Sequence, residues 1–186
     1  MMVLFRNIPN VLTGLRLLLA PITAFFILHE QYGAALLVFA FAGASDAADG
    51  FLAKRFGLES RFGALLDPAA DKLLMLLSFL SLTRMDVIPL WLTAVVIARD
   101  AAIVLGVFVV QIFSLPVRIE PLPIGKICTV VQVSYVALML LFRVLGVEAQ
   151  SSVEALSVLT AAATAISWLL YGQTFLRGLL PGSKTA

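Results

Sequence analysis

Four aspartates at helical spacings are the residues of this sequence best suited to chemistry: Asp46 and Asp49, three apart, and Asp67 and Asp71, four apart. Such spacings put each pair on one face of a helix, and an antiparallel turn between two helices brings the two faces together as a single four-carboxylate cluster. The surroundings are apolar, where a carboxylate costs about 2.5–3.5 kcal/mol on insertion scales and four together also repel one another. Protonation, pairing with Lys54, Arg55 or Lys72, or divalent cations would each offset that cost. The basic residues are few and sit at the connecting loop, so metal ions account best for the cluster. Hard oxygen ligands suit Mg2+ or Mn2+ better than zinc. Gly50 and Gly63 expose backbone beside the acids, where a phosphate or nucleotide approaches closely, although glycines at helix crossings also serve packing. Solvated aspartates at two helix ends are the plainer alternative, and they give no reason for both pairs to face each other.

The elements that must carry these residues are membrane helices. Hydrophobic residues make up 61% of the 186 positions and charged residues 13%, with a mean hydropathy of +1.05, far from the averages of soluble domains. Six apolar stretches, near 10–28, 34–53, 65–83, 87–112, 124–142 and 153–176, are each long enough for the roughly 20 residues that cross a bilayer. The expected fold is therefore all-α and integral to the membrane: a bundle of six transmembrane helices with a cytoplasm-facing polar active-site cavity, forming one domain over 1–186. Lys54, Arg55, Arg61, Arg118 and Lys126 fall in or beside the second and fourth loops, Arg6 and Arg16 near the N-terminus, and Arg177 and Lys184 at the C-terminus. The first, third and fifth loops hold only Arg84 and Arg143. The excess of positive charge puts both termini and the even-numbered loops in the cytoplasm. The opening residues lack the order of a cleavable signal peptide, so the mature protein is expected to begin at Met1. A net charge of +2 gives no reason to expect nucleic acid, and the single Cys128 excludes an intrachain disulfide.

Read in order, Asp46-x-x-Asp49-Gly50-x-x-Ala53, then Gly63-x-x-x-Asp67-x-x-x-Asp71, resembles the signature of the CDP-alcohol phosphatidyltransferase family. Asn7-Ile8-Pro9-Asn10-Val11-Leu12-Thr13, Ile97-Ala98-Arg99-Asp100 and Gly125-Lys126-Ile127 also look like family features, so the resemblance covers most of the chain. One position departs: the family normally has Arg directly after the Ala, and here Lys54 stands there with Arg55 next. Lysine keeps the charge and loses the planar bidentate fork, which leaves the diphosphate contact to Lys54 or Arg55. The resemblance implies a CDP-linked lipid, CDP-diacylglycerol, held with its diphosphate on two Mg2+ or Mn2+ ions while an acceptor hydroxyl displaces CMP. It implies Asp46, Asp49 and Asp67 as metal ligands, and Asp71 as ligand and general base. Asp46, Asp49, Gly50, Ala53, Lys54, Gly63 and Asp67 would border the bound CDP-lipid.

Arg99 and Asp100 lie near the middle of the fourth span, where a charged pair is costly. They either hold the bundle together, or Arg99 joins Arg118 and Lys126 in a basic pocket for the phosphate of an anionic acceptor. Lys126 also fits an ordinary topological anchor. The run Thr160 to Ala165 suits close helix packing. The segments from Val87 to Asp100 and from Thr164 to Gly172 are similar to the cardiolipin-forming branch of the family, whose acceptor is phosphatidylglycerol. The branch that uses glycerol 3-phosphate shares the signature. Ion-coupled transport or a channel is the competing class, since buried acids also mark ion pathways, but it favours midplane sites and repeated halves that are not visible here. Membrane enzymes of this size often form a homodimer, and no residue of the sequence marks an interface.

Overall fold

A computed structural model of the protein describes residues 8–56, 61–113, 123–147 and 150–179, with side chains described over 14–45, 69–110, 112–113, 123–147 and 150–176. These residues form six α-helices: α1 (Ile8–Leu28), α2 (Tyr32–Phe56), α3 (Arg61–Arg84), α4 (Leu90–Ile112), α5 (Pro123–Leu145) and α6 (Gln150–Leu179). Among the described residues there is no strand. Proline sets two of the starts. Pro89 directly precedes α4, and Pro123 is the first residue of α5, a position where its missing N–H would have had no helical partner.

The three odd-numbered connections end their helices in the same way. Glu30 (φ 59°), Asp86 (φ 53°) and Gly146 (φ 65°) are left-handed, and the N–H of the next residue bonds back five positions: Gln31 to Phe26 at 2.9 Å, Val87 to Leu82 at 2.9 Å, Val147 to Phe142 at 2.9 Å. These are Schellman caps, which satisfy carbonyls left over at a helix end. Only the last uses the residue that adopts this conformation without steric cost. Asp86→Gly should therefore raise stability by about 1 kcal/mol, the left-handed penalty less the extra entropy of an unfolded glycine, read as a higher midpoint of thermal unfolding in detergent. A lower midpoint would show that the exposed Asp86 side chain matters more than its backbone.

Two compact units emerge: residues 1–88 with 136–148, and 89–135 with 149–186. In the first, α1 packs on both α2 and α3, burying Arg16, Ala20, Thr23 and Ile27 from one stripe of α1 with Ala35, Phe39 and Ala42 of α2 and Leu74, Ser78 and Phe79 of α3. In the second, α4 packs on α6, and Tyr135, Gln132 and Cys128 of α5 bond to α6. The Ser157 hydroxyl donates to the Val153 carbonyl at 2.7 Å, so the Tyr135 hydroxyl, 2.7 Å away, donates to Ser157. The Gln132 amide donates to Thr164 Oγ1 at 3.2 Å.

Burial runs opposite to that of a soluble protein. Leu18, Leu37, Leu90, Phe108, Leu159 and Leu169 are exposed, whereas Thr93, Gln132, Ser157, Thr160, Thr164 and Ser167 are buried. In water such exposed apolar area would drive aggregation. In lipid, which removes the apolar drive for helices to associate, hydroxyls and small residues are the usual packing material. Helices α4, α5 and α6 are long and apolar enough to cross a bilayer, and Gly14–Leu28 and Tyr32–Ser45 are shorter apolar lengths of α1 and α2. The protein is an all-helical membrane protein.

Candidate active site

Helix α2 runs unbroken through Asp46, Asp49, Gly50, Ala53 and Lys54, and α3 has already begun at Arg61 when it reaches Gly63, Asp67 and Asp71. The spacings of the signature are therefore helical ones. Asp46 and Asp49 are one turn apart near the C-terminal end of α2, and Gly63, Asp67 and Asp71 succeed one another by about a turn along one face of α3. Both helices belong to one compact unit and both pack on α1. The side chains of Asp46, Asp49, Lys54 and Asp67, with Ala53, Gly50 and Gly63 themselves, lie outside the described residues in this respect, and Arg118 lies outside them altogether. Asp71 is part-exposed. Carboxylates carried on two helices of one unit are the donor type that a hard divalent cation would take.

Sequence reasoning gave Arg16 too small a part. Counted with the basic residues of the N-terminal end, it is instead 1% exposed, on the stripe of α1 buried in the unit that carries the acids. A guanidinium inside an apolar helix is too costly to be left facing lipid. That cost was the available signal.

In the second unit Arg99 is 3% exposed. One terminal nitrogen donates to Asp100 Oδ1 at 2.7 Å and the other to Ser167 Oγ at 2.6 Å, and the guanidinium carbon lies 5.7 Å from the centroid of the Tyr171 ring, within cation–π range. Its Nε is buried and has no hydrogen-bond partner among the described residues. The Tyr171 hydroxyl in turn lies so close to Gly125 that a Cβ there would sit 2.6 Å from it. Glycine is needed for that approach. The next residue, Lys126, is exposed. Of the three residues expected at the acceptor, Arg99 is thus committed through both terminal nitrogens to neighbours on α4 and α6, and Lys126 is exposed.

Replacing Arg99 with Lys keeps the charge and loses the fork. Arg99→Lys should lower stability by about 2 kcal/mol, the order of one or two charge-assisted bonds. In a thermal-unfolding cycle with Ser167→Ala the two losses should be non-additive, because both remove the same bond. Additive losses would show that the 2.6 Å bond contributes nothing.

The sequence profile of the CDP-alcohol phosphatidyltransferase family matches residues 6–171. The chain belongs to this family. It is 36% identical over 186 residues to the cardiolipin synthase (CMP-forming) of Rattus norvegicus, covering 90% of the chain, and equally identical over the same share to that of Homo sapiens. The chain spans 62% of the length of these two relatives. It is also 31% identical over 184 residues to the CDP-diacylglycerol–glycerol-3-phosphate 3-phosphatidyltransferase of Aquifex aeolicus, covering 96% of the chain and 97% of that protein. The family match runs through both compact units, so the signature helices α2 and α3 and the Arg99 cluster of α4 and α6 fall within a single CDP-alcohol phosphatidyltransferase match.

Proposed function

We propose that the protein transfers the phosphatidyl group of CDP-diacylglycerol to the hydroxyl of phosphatidylglycerol, releasing CMP and forming cardiolipin. The transfer is supported by the family signature laid out at one-turn intervals on two helices of one unit, and the choice of acceptor by the likeness to the cardiolipin synthases of Rattus norvegicus and Homo sapiens. Residues 1–186 would act as one membrane domain of six spans, with both termini and the α2–α3 and α4–α5 connections in the cytoplasm. That orientation puts the acids at the face where a soluble leaving group departs.

Asp46, Asp49, Asp67 and Asp71 would hold two Mg2+ or Mn2+ ions, whose chemistry is to neutralise the diphosphate and the charge developing on CMP. Gly50, Ala53 and Gly63 would border the CDP-lipid, with Lys54 or Arg55 at its diphosphate. The bond from the acceptor oxygen to the phosphatidyl phosphorus forms as the bond from that phosphorus to the CMP oxygen breaks, and Asp71 takes the acceptor's proton. The Nε of Arg99, which has no partner among the described residues, and the exposed Lys126 would supply donors for an anionic acceptor, with Arg118 from the α4–α5 connection.

A second reading has its own support. The Aquifex aeolicus protein is matched along 97% of its length, and by that likeness the acceptor would be glycerol 3-phosphate. Product analysis with purified protein, CDP-diacylglycerol, Mg2+ or Mn2+ and either acceptor separates the two. CMP release that requires phosphatidylglycerol and yields cardiolipin is expected. Release with glycerol 3-phosphate alone establishes the second reading, and release with neither refutes both.

A further inference from the structure

Between α4 and α6 the second unit holds a groove of ≈ 190 Å3, lined by Ala102, Ile103 and Gly106 on one side and Trp168, Gly172 and Phe175 on the other, with Tyr171 also in its wall. That is well below the roughly 300–1,000 Å3 of pockets that enclose a whole small molecule, so it suits one segment of a larger one. The lining is apolar. Thr174, the remaining polar side chain in the wall, donates its hydroxyl to the Leu170 carbonyl at 2.9 Å.

Its two glycines do not serve close packing. A Cβ at Gly106 or Gly172 would meet nothing within 4 Å among the described residues, in contrast to Gly125 with its 2.6 Å approach to Tyr171. They leave room. The walls are themselves part-exposed, with Trp168 at 44%, so in a bilayer the groove would be open to molecules that arrive through the hydrocarbon. Tyr171 joins it to positive charge: the same ring lies beside the Arg99 guanidinium, and its hydroxyl lies against Gly125, next to exposed Lys126. Arg99 is offset by its partner Asp100, so it is the exposed Lys126 beyond Tyr171 that gives the slot a cation near one end, and such a slot complements an anionic amphiphile.

We infer that this groove binds a segment of one acyl chain of the phospholipid acceptor, with Gly106 and Gly172 providing its width. The inference rests on the proposed transfer to a lipid acceptor. It makes α4 and α6 determinants of acceptor chain length, apart from the helices that hold the CDP-lipid.

The test uses the purified full chain with CDP-diacylglycerol of fixed composition and two acceptors, dioleoyl- and dihexanoyl-phosphatidylglycerol. Each buried methylene is worth about fourfold in affinity, so Gly106→Leu and Gly172→Leu, which fill the slot, should lower the long-to-short ratio of kcat/KM by about tenfold or more. Gly106→Ala adds one methyl into open space, preserves packing, and should shift the ratio the same way by less. A ratio unchanged in all three variants overturns the inference. So does a shift that follows the chain length of the CDP-lipid when that is varied instead. Wild-type protein that releases CMP with glycerol 3-phosphate and with neither phosphatidylglycerol overturns the lipid-acceptor reading itself, and the groove's role falls with it.

Discussion

Asp46→Asn, Asp49→Asn and Asp67→Asn are each expected to lower metal-dependent CMP release by about 10³-fold, the equivalent of roughly 4 kcal/mol of lost charge stabilisation. Asparagine keeps the volume and one oxygen of the aspartate and removes the charge on which affinity for a hard cation depends. A second readout separates a metal site from a structural one. Acids gathered for metal repel one another when it is absent, so without divalent ions each variant should unfold at a higher temperature than wild type, and added Mg2+ or Mn2+ should raise the wild-type midpoint most. Activity retained in any two of the three variants, or identical metal-induced shifts in all four proteins, would remove these residues from a metal site.

Asp71→Asn should separate binding from turnover. Asp71 stands one turn beyond Asp67 on α3 and is part-exposed. An acceptor hydroxyl has a pKa far above neutrality, and a carboxylate within hydrogen-bond reach aids its attack by about 10²–10⁴-fold. The amide cannot take the proton. Turnover should therefore fall by about that factor while CDP-diacylglycerol still binds in the presence of metal, measured as equilibrium binding of the lipid beside CMP release with acceptor. If binding and turnover fall together, Asp71 acts chiefly as a metal ligand and the base lies elsewhere.

Hydropathy placed all six helices because apolar runs of some twenty residues have few other uses, yet it marked the greasy part of each element: it met the ends of α1 at Leu28 and α4 at Ile112 and missed others. α3 begins at Arg61, ahead of the apolar stretch at 65, and α6 starts at Gln150 where the stretch starts at 153. A helix continues on its own hydrogen bonds past the bilayer core until a breaker stops it, as the left-handed residues Glu30 and Asp86 do; aspartate is a type that tolerates this conformation, whereas Glu30 gives no such sign. The signature acids were legible because their spacing matches the helical repeat. Arg99 with Asp100 was legible as a costly pair, but Ser167, far away in sequence, became its partner only through packing of α4 on α6. The groove gave no sign at all, since Gly106 and Gly172 differ from packing glycines only in the emptiness around them.

The hydroxyls buried along α6 have one more implication, for biogenesis. Ser157, Thr160 and Thr164 donate to carbonyls four residues back within the same helix, at 2.7–2.8 Å, and Arg99 of α4 has its counter-ion in the adjacent Asp100 at 2.7 Å. α4 and α6 therefore bring to the translocon several of the polar partners they need, which lowers the cost of each as a lone segment in hydrocarbon. The bonds from Tyr135 to Ser157, Gln132 to Thr164 and Arg99 to Ser167 wait for lateral assembly. Insertion and docking are thus separable events for α4, α5 and α6, so a variant that loses one of these interhelical bonds would still enter the membrane and fail, if it fails, at assembly there.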